Sequence, residues 1–346
     1  MILKEYVKMQ DVIMHLIGNK SHDDGLILTS EYIDIDDSMT AVLSHYFLSP
    51  FKENVYYHFY HDSEISLNEI YTYASRIFED SDQLIEQSQN IAKHLYEHSV
   101  HPRVKSGELY ITYLKDIIID GDTVDAIGIF KSENKDTFLK VYSSDNNYHI
   151  ESQEGTNINK LDKGCLIFNK EREDGYVVAV IDNTNKTEAQ YWLDDFLHVR
   201  QREDEYYNTQ NLMAMCKNYV VKQLPNEFEV SKADQAELLN KSAQYFKEND
   251  SFNIQSFAEE VIAQPEVINS FNNYKQTYQT DRGIEIADEF DISSSAVKKQ
   301  TRAFKSVIKL DKNFHIYVHG NNQYIKRGFD EATGMHYYQL FFKEEV

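Results

Sequence analysis

The sequence has little cysteine, proline and glycine. Its 346 residues include 2 Cys, 4 Pro and 12 Gly, whereas 13% of them are aromatic. Cys165 and Cys216 lie in separate apolar segments, which argues against a disulfide framework and favours a reducing cytoplasm. The few prolines and glycines leave little material for linkers, and so many aromatic residues are typical of a folded chain. We therefore expect a cytoplasmic protein that is folded along most of its length.

The sequence also lacks the features of a secreted or membrane protein. The stretch from Met1 to Tyr6 has neither the basic region nor the apolar run of a signal peptide. No segment approaches the roughly 20 apolar residues that are needed to span a bilayer. We therefore expect no membrane partner.

No common catalytic or cofactor motif is present. The chain contains no Gly-x4-Gly-Lys-Ser/Thr phosphate loop, no Gly-x-Gly-x-x-Gly, no Cys-x-x-Cys, no His-Glu-x-x-His and no Gly-x-Ser-x-Gly. We therefore predict no catalytic residues, no cofactor and no metal site, and we interpret the protein as non-enzymatic.

Two weaker patterns point to other kinds of site. Asp125, Glu133 and Lys135 are similar to the carboxylates and lysine of metal-dependent nucleases, but Glu133 and Lys135 fall in a predicted turn. His94 and His98 share a helix face and could bind a metal, although imidazoles also suit the end of a helix. Neither pattern changes the prediction.

Short alternating segments in the middle of the chain indicate an antiparallel sheet. The predicted strands cover residues 107–114, 123–131, 137–142, 165–169 and 176–181, and short polar turns such as 120–122 and 171–175 separate several of them. Strands this close in sequence pair as antiparallel neighbours. We expect the first strand to be covered on both faces, because its side chains are apolar or aromatic on each.

The segments on either side of the predicted sheet are largely helical. Before it, we predict strands at 10–17, 25–33 and 53–60, a helix capped by Asp36 or Asp37, and a long helical segment from 66 to 99 with an acidic break at 79–82. After it, we predict helices at 187–197, 208–224, 231–249, 252–263 and 266–278, then strands at 314–319, 323–329 and 335–342. Pro225 ends one of these helices, and Trp192 pairs with Phe196 against the sheet.

This pattern predicts an α+β protein of two domains. Residues 1–200 form a domain with an antiparallel central sheet and helical cover. Residues 201–346 form a mostly helical module that contains a basic helix and ends in a small β-hairpin region.

The net charge of −22 is distributed unevenly. Between residues 296 and 327 the only acid is Asp311, so this window carries +7 and the rest of the chain −29. Its basic residues are Lys298, Lys299, Arg302, Lys305, Lys309, Lys312, Lys326 and Arg327. An acidic protein is repelled by nucleic acid, but a local basic surface binds phosphates. We predict that these residues bind DNA, the alternative being an ordinary solvated face.

The segment from 284 to 297 resembles a helix-turn-helix. A first helix would end near Phe290, and Ser293 or Ser294 would cap a second one, although Asp291 replaces the glycine usual in the turn. If the second helix continues, its basic face has the spacing i, i+4, i+7 and i+11. That face would consist of Lys298, Arg302, Lys305 and Lys309, opposite Val297, Phe304 and Ile308. Such a helix lies along phosphates without reading bases.

Several segments resemble the NdpA/YejK-type family of nucleoid-associated proteins. Residues 99–113, SVHPRVKSGELYITY, are similar to that family's His-Pro-x-Ile-Lys-x-Gly-Glu-Leu run. Further similarities are at 164–169, 175–176, 182–183, 189–197 and 308–329. The resemblance implies a bacterial cytoplasmic protein that is found on the nucleoid, binds DNA and has no known catalytic residues. We interpret the motif residues His101, Pro102, Lys105, Gly107 and Glu108 as structural.

These observations lead to one main hypothesis and two alternatives. We expect a nucleoid-associated, non-enzymatic protein that binds double-stranded DNA largely without sequence preference, through phosphate contacts of its basic C-terminal face. The alternatives are an acidic adaptor that binds a DNA-processing enzyme and, last, a metal-dependent nuclease. A homodimer is also compatible with the sequence, because a strand at 335–342 would otherwise leave an open edge.

Overall fold

The structure is a computed structural model that describes residues 2–3, 7–144, 147–184, 190–302, 304, 307–318 and 324–344. The chain divides into two compact units, Met1–Arg202 and Glu203–Val346. Among the helices of the described residues, none combines the length and the apolar character that crossing a membrane requires.

The first unit is built on an antiparallel sheet. Its strands are β1 (Ile2–Leu3), β2 (Lys8–Ile17), β3 (Leu26–Ile27), β4 (Tyr57–Phe59), β5 (Gly107–Ile119), β6 (Asp122–Ser132), β7 (Asp136–Ser144), β8 (Asn147–Gly155), β9 (Lys163–Phe168), β10 (Val177–Asp182) and β11 (Val199–Gln201). Its α-helices are α1 (Asp37–Leu48), α2 (Glu69–Glu79) and α3 (Leu84–His98). In the described residues the central sheet has nine strands in the order β11-β4-β10-β9-β6-β5-β2-β3, with β1 also on β5. This architecture confirms the predicted α+β class with an antiparallel central sheet.

Both faces of the central sheet are covered. One face packs on α2 and α3, in a cluster that includes Ile77, Leu95 and Ile111. The other face packs on α1, where the ring of Phe47 stacks on Phe130 with 4.3 Å between centroids. The central strands therefore have long apolar runs, which is why the sequence predicts them well.

Several elements of the first unit are shorter than predicted. The strand expected at 25–33 is reduced to β3, and the one at 53–60 to β4. The helical segment expected at 66–99 is divided into two helices at its predicted acidic break, because Asp80 ends α2 and its carboxylate accepts a hydrogen bond from the N–H of Asp82 in a 3-10 turn. The cap at Asp36 is confirmed, since Oδ1 accepts from the N–H of Met39 at 2.8 Å.

The third predicted strand of the meander does not join the central sheet. The strand expected at 137–142 is β7, and it pairs only with β8 in a separate hairpin among the described residues. The sequence did not predict β8, and the meander passes directly from β6 to β9 instead. The side chains of β7 are exposed along its whole length.

Around the single tryptophan, the predicted packing is confirmed, but the described residues do not form the regular α-helix that was predicted. From Gln190 to Leu197 the chain forms a 3-10 turn and then a π-turn, and the start of the helix predicted at 187–197 lies outside the described residues. Trp192 and Phe196 are buried in the core with 4.7 Å between ring centroids. The expected aromatic pair therefore forms.

The second unit is mostly helical and ends in hairpins, as predicted. Its α-helices are α4 (Glu205–Asn218), α5 (Leu224–Glu227), α6 (Lys232–Glu248), α7 (Ile254–Phe257), α8 (Pro265–Arg282) and α9 (Ser294–Thr301). Its strands are β12 (Ser251–Asn253), β13 (Glu289–Asp291), β14 (Val307–Leu310), β15 (Phe314–Tyr317), β16 (Ile325–Asp330) and β17 (Met335–Leu340). An aromatic-rich cluster around Phe246, Phe252 and Phe257 forms its core.

Pro225 does not end its helix. A π-turn, Tyr219–Gln223, follows α4, and Pro225 lies in the first turn of α5. Proline is tolerated there because the first N–H groups of a helix have no intrahelical partner. The prediction of a stop at this residue was therefore wrong.

Candidate nucleic-acid interface

Helix α9 carries the first residues of the basic window. Ser293 caps it, because its Oγ accepts a hydrogen bond from the N–H of Ala296 at 3.4 Å. Ala296 and Val297 are buried in the unit, where α9 contacts α4 and α6, whereas Lys298 and Lys299 are exposed. The helix thus buries one face and presents two lysines near its C-terminal end, where cations are favoured by the helix dipole.

No helix precedes α9 in the way that the sequence predicts. Residues 284–288 form no regular element, and they lead into β13, which pairs with β12. The N–H of Ile286 donates to Gln279 Oε1 at 2.8 Å, so a side chain supplies the partner that a helix would have supplied. The helix-turn-helix prediction is therefore wrong, although the cap at Ser293 is confirmed.

The basic helix is also shorter than predicted. It ends at residue 301, and Lys309 lies in β14 instead. In that strand Ile308 is 1% exposed while its neighbour Lys309 is exposed, which is the alternation of a half-covered strand. Val297, Phe304 and Ile308 have helical spacing and are all buried, yet Val297 lies in α9, Ile308 lies in β14, and Phe304 lies in neither. Lys305 lies outside the described residues.

The two terminal hairpins pack one face against α6. The apolar cluster between them consists of Ala233, Ala236, Ile308 and Val318, with Leu310, Ile316, Ile325 and Tyr338 packed around it. Asn240 of α6 also donates a hydrogen bond from Nδ2 to the carbonyl of Val318 at 3.2 Å. The inner face of each hairpin is therefore fixed by packing.

The outer faces of the hairpins carry basic and aromatic side chains. Lys309 lies directly opposite His315, and the next outer residue of β15 is Tyr317. In the second hairpin, Lys326 lies opposite Gln339, and the neighbouring outer residue of β17 is Tyr337. Since alternate residues of a strand point to opposite faces, these side chains lie on the side away from α6.

Seven of the eight predicted DNA-binding residues are at the surface. Exposed side chains are those of Lys298, Lys299, Arg302, Lys309, Lys312, Lys326 and Arg327. They are spread over the end of α9 and the two hairpins rather than along one helix. Within the described part of the chain, Lys298, Arg302, Lys309 and Lys312 form no ion pair with an acidic residue of the protein. Their charges are therefore available to solvent or a ligand.

One further lysine near this surface was not predicted. Lys247, close to the end of α6, and Lys298 line the same cleft of about 460 Å³, together with Asp250 and Ser294. Lys247 is far from the basic window in sequence, so only the packing of α9 against α6 brings it there. A local count of charges cannot detect such a residue.

The nuclease-like residues are not assembled into a site. Asp125 is near the start of β6 and accepts a hydrogen bond from Tyr113 Oη at 2.8 Å, whereas Glu133 follows the end of that strand. A strand rises about 3.3 Å per residue, so these two carboxylates lie roughly 25 Å apart and cannot share one metal ion. Lys135 pairs with Glu108 at 2.6 Å.

The two histidines of α3 have a packing role. The rings of His94 and His98 lie with 4.5 Å between centroids, and His94 Nε2 donates to the carbonyl of Phe196 at 3.1 Å. Burial, and then the proximity of His98, lowers the pKa of His94. Among the described residues no group of three His, Cys, Asp or Glu side chains is placed to hold a metal ion.

Two buried lysines were not anticipated. Lys131 of β6 and Lys163 of β9 are direct cross-strand neighbours, and both are fully buried. Lys131 Nζ donates to Glu133 Oε1 at 2.9 Å, and Tyr191 Oη donates to the same oxygen at 3.0 Å. Burial lowers the pKa of Lys131, although Glu133 opposes that shift. Lys163 Nζ is held by Asp182 Oδ1 at 2.8 Å.

The segment from 101 to 108 is tied into this region by its backbone. The carbonyl of His101 accepts a hydrogen bond from Asn19 Nδ2 at 2.9 Å, and that of Lys105 accepts one from Lys131 Nζ at 2.9 Å. At Gly107 an added Cβ would lie 1.8 Å from the backbone oxygen of Ser132. These contacts give the segment a structural role at the start of β5.

Comparison with known protein families assigns the chain to the nucleoid-associated proteins. Residues 13–333 match the family described as nucleoid-associated protein YejK. Because the match spans most of the chain, the protein belongs to this family, which confirms the resemblance found in the sequence. A search among curated proteins found no match.

Proposed function

We propose that the protein binds double-stranded DNA of the nucleoid through its basic C-terminal surface, without enzymatic activity. This surface is defined by the exposed residues Lys298, Lys299, Arg302, Lys309, Lys312, Lys326 and Arg327. The observation that carries the proposal is the exposure of these cations on neighbouring elements of one unit, in a chain of net charge −22. Family membership supports the nucleoid as the place where it acts.

The arrangement favours phosphate contacts over reading of bases. Recognition helices contact base edges through their N-terminal residues, whereas α9 presents its lysines near its C-terminal end. The other cations are on hairpins, where long side chains reach phosphates from outside the grooves. Phosphate contacts position a protein on DNA but carry no sequence information, so we expect binding that is largely independent of sequence.

The acidic remainder of the chain restricts the contact to one surface. Without the basic window the chain carries −29, which DNA repels. The basic C-terminal surface is therefore the part of the chain that attracts a duplex most strongly. This geometry favours contact at one place over extended wrapping.

Charge reversal at three sites tests the proposal. The test variant combines Lys298→Glu, Arg302→Glu and Lys309→Glu. It removes three phosphate contacts of about 1 kcal/mol each and adds repulsion, so the affinity for DNA should fall about 100-fold or more. Fluorescence anisotropy of a labelled random duplex at low salt measures this change. The matched control is Lys52→Glu, Lys93→Glu and Lys115→Glu, which changes the net charge equally at exposed positions of the first unit.

The control triple variant should bind within about threefold of the wild type, apart from a small general repulsion. Equal losses in the two triple variants would show a net-charge effect and contradict the proposed surface. Absence of wild-type binding even at low salt would contradict DNA binding altogether and favour the acidic adaptor.

A further inference from the structure

The two terminal hairpins expose aromatic rings beside their cations. Tyr317 is 59% exposed and Tyr337 is 50% exposed. Neither ring is needed for packing on α6, because the inner faces of the hairpins supply that contact. The rings therefore form part of a surface whose use lies outside the fold itself.

Each hairpin repeats the same arrangement of one lysine and one tyrosine. Tyr317 is the diagonal cross-strand neighbour of Lys309, and Tyr337 is the diagonal neighbour of Lys326. Such diagonal pairs are about 7–8 Å apart, so each exposed ring lies beside a positive charge. Lys326 Nζ also lies 5.4 Å from the ring centroid of Phe341.

Gly328 fixes the position of one ring. It lies directly opposite Tyr337, and a Cβ added at Gly328 would lie 2.2 Å from the ring of that tyrosine. The missing side chain thus lets the ring rest against the neighbouring strand. A ring held in this way loses little freedom when a ligand stacks on it.

We propose that the outer faces of these hairpins bind single-stranded DNA, with Tyr317 and Tyr337 stacking on unpaired bases and Lys309 and Lys326 contacting phosphates. The inference rests on the proposed function, since it uses the same basic C-terminal surface. Stacking on aromatic rings tolerates every base, because each base has a π-face. This agrees with a surface that does not read sequence.

The charge around the rings distinguishes the terminal hairpins from the other hairpin that exposes a tyrosine. The hairpin β7–β8 also exposes a tyrosine, Tyr148, at 83%. That hairpin is acidic, because Asp136, Glu151 and Glu154 outweigh Lys140. The hairpin β14–β15 carries Lys309 and Lys312 against Asp311, whereas in β16–β17 Asp330 and Glu331 balance Lys326 and Arg327. A polyanion is therefore attracted to β14–β15, meets no net charge on β16–β17 and is repelled by β7–β8.

Aromatic substitutions test the inference. We expect Tyr317→Leu together with Tyr337→Leu to weaken binding of a labelled oligo-dT strand by at least about tenfold, since each stacked base contributes roughly 5-fold to 150-fold. Binding of a blunt duplex should change less than about threefold. The phenylalanine variants at both positions should bind oligo-dT like the wild type, because the ring is kept, and Tyr148→Leu should have no effect.

The possible failures are distinguishable. If the double leucine variant binds oligo-dT like the wild type while the wild type still binds the duplex, base stacking is contradicted and the proposed function stands. Loss of oligo-dT binding in the phenylalanine variant would likewise overturn stacking, because the ring would not be the active part. If the wild type binds neither DNA, both the inference and the proposed function fail.

Discussion

At Gly107, the space that a Cβ atom would need is occupied by the backbone of a neighbouring strand. Gly107 faces the end of β6, and a Cβ there would lie 1.8 Å from the backbone oxygen of Ser132. Gly107→Ala must push β5 and β6 apart, so we expect the free energy of unfolding to fall by about 1–3 kcal/mol. Urea denaturation followed by circular dichroism measures this loss.

Gly25→Ala is the control for that substitution, because a Cβ at Gly25 meets nothing within 4 Å. Its free energy of unfolding should stay within about 0.5 kcal/mol of the wild type. Equal denaturation midpoints for the two variants would contradict the steric account of Gly107.

His15 is a buried residue held in its neutral form. Its Nδ1 accepts a hydrogen bond from the N–H of Thr29 at 3.2 Å, so Nε2 carries the proton and donates to Ser88 Oγ at 3.0 Å. Burial lowers the pKa of His15 from 6.5 to about 4. The folded chain therefore resists protonation at this site more than the unfolded chain does.

This shift predicts a loss of stability in mild acid. As the pH falls from 6.5 towards 4, the unfolded chain takes up a proton that the folded chain does not. The contribution of His15 is thus present above pH 6.5 and is lost below it, about 3 kcal/mol in total.

His15→Gln should be less stable at neutral pH and should have a shallower pH dependence than the wild type, which denaturation at several pH values measures. His22→Gln, at an exposed position, should keep the wild-type dependence, and a wild-type slope in His15→Gln would contradict the assignment.

At the scale of elements, hairpin β7–β8 is separate from the core of its unit. The central clusters of the first unit contain no residue of β7 or β8 among those described. Its side chains are largely exposed, including Leu139 at 69% and Ile150 at 67%. Such a hairpin buries little apolar area and adds little to the stability of the unit.

Replacing residues 138–153 by a short Gly-Ser turn tests this view. We expect the free energy of unfolding of the first unit to change by less than about 1 kcal/mol. The buried area is nearly unchanged, and closing the shorter loop costs less entropy. Guanidinium denaturation of the full-length variant is the measurement. A loss of more than about 3 kcal/mol would mean that the hairpin supports the core.

How well each element could be predicted from the sequence depends on how that element is buried. The strands β5, β6, β9 and β10 were predicted because burial on both faces gives them apolar runs. Strand β8 was missed because its polar residues, such as Asn147 and Gln153, carry no strand signal, and only its pairing with β7 makes it a strand. Pro225 was misread as a stop, since position within a helix decides what proline does.

At the scale of the whole molecule, charge was easier to predict than shape. The positions of the charged residues along the sequence located the basic window, and its seven described members are all exposed. The sequence placed Lys298, Arg302 and Lys309 on one helix together with Lys305, because Phe304 and Ile308 also have helical spacing. Residues buried against α6 by a hairpin and residues buried by a helix give the same local pattern, so only the tertiary pairing distinguishes them.

The salt dependence of DNA binding tests the central claim most directly. If five to seven cations of the basic C-terminal surface contact phosphates, the logarithm of the affinity for a random duplex should fall with the logarithm of salt concentration at a slope of about −4.5 to −6. Neutralising three contacts with Lys298→Gln, Arg302→Gln and Lys309→Gln should make that slope shallower by about 2.7. A wild-type slope near zero, or one that the three substitutions leave unchanged, would contradict phosphate binding through this surface.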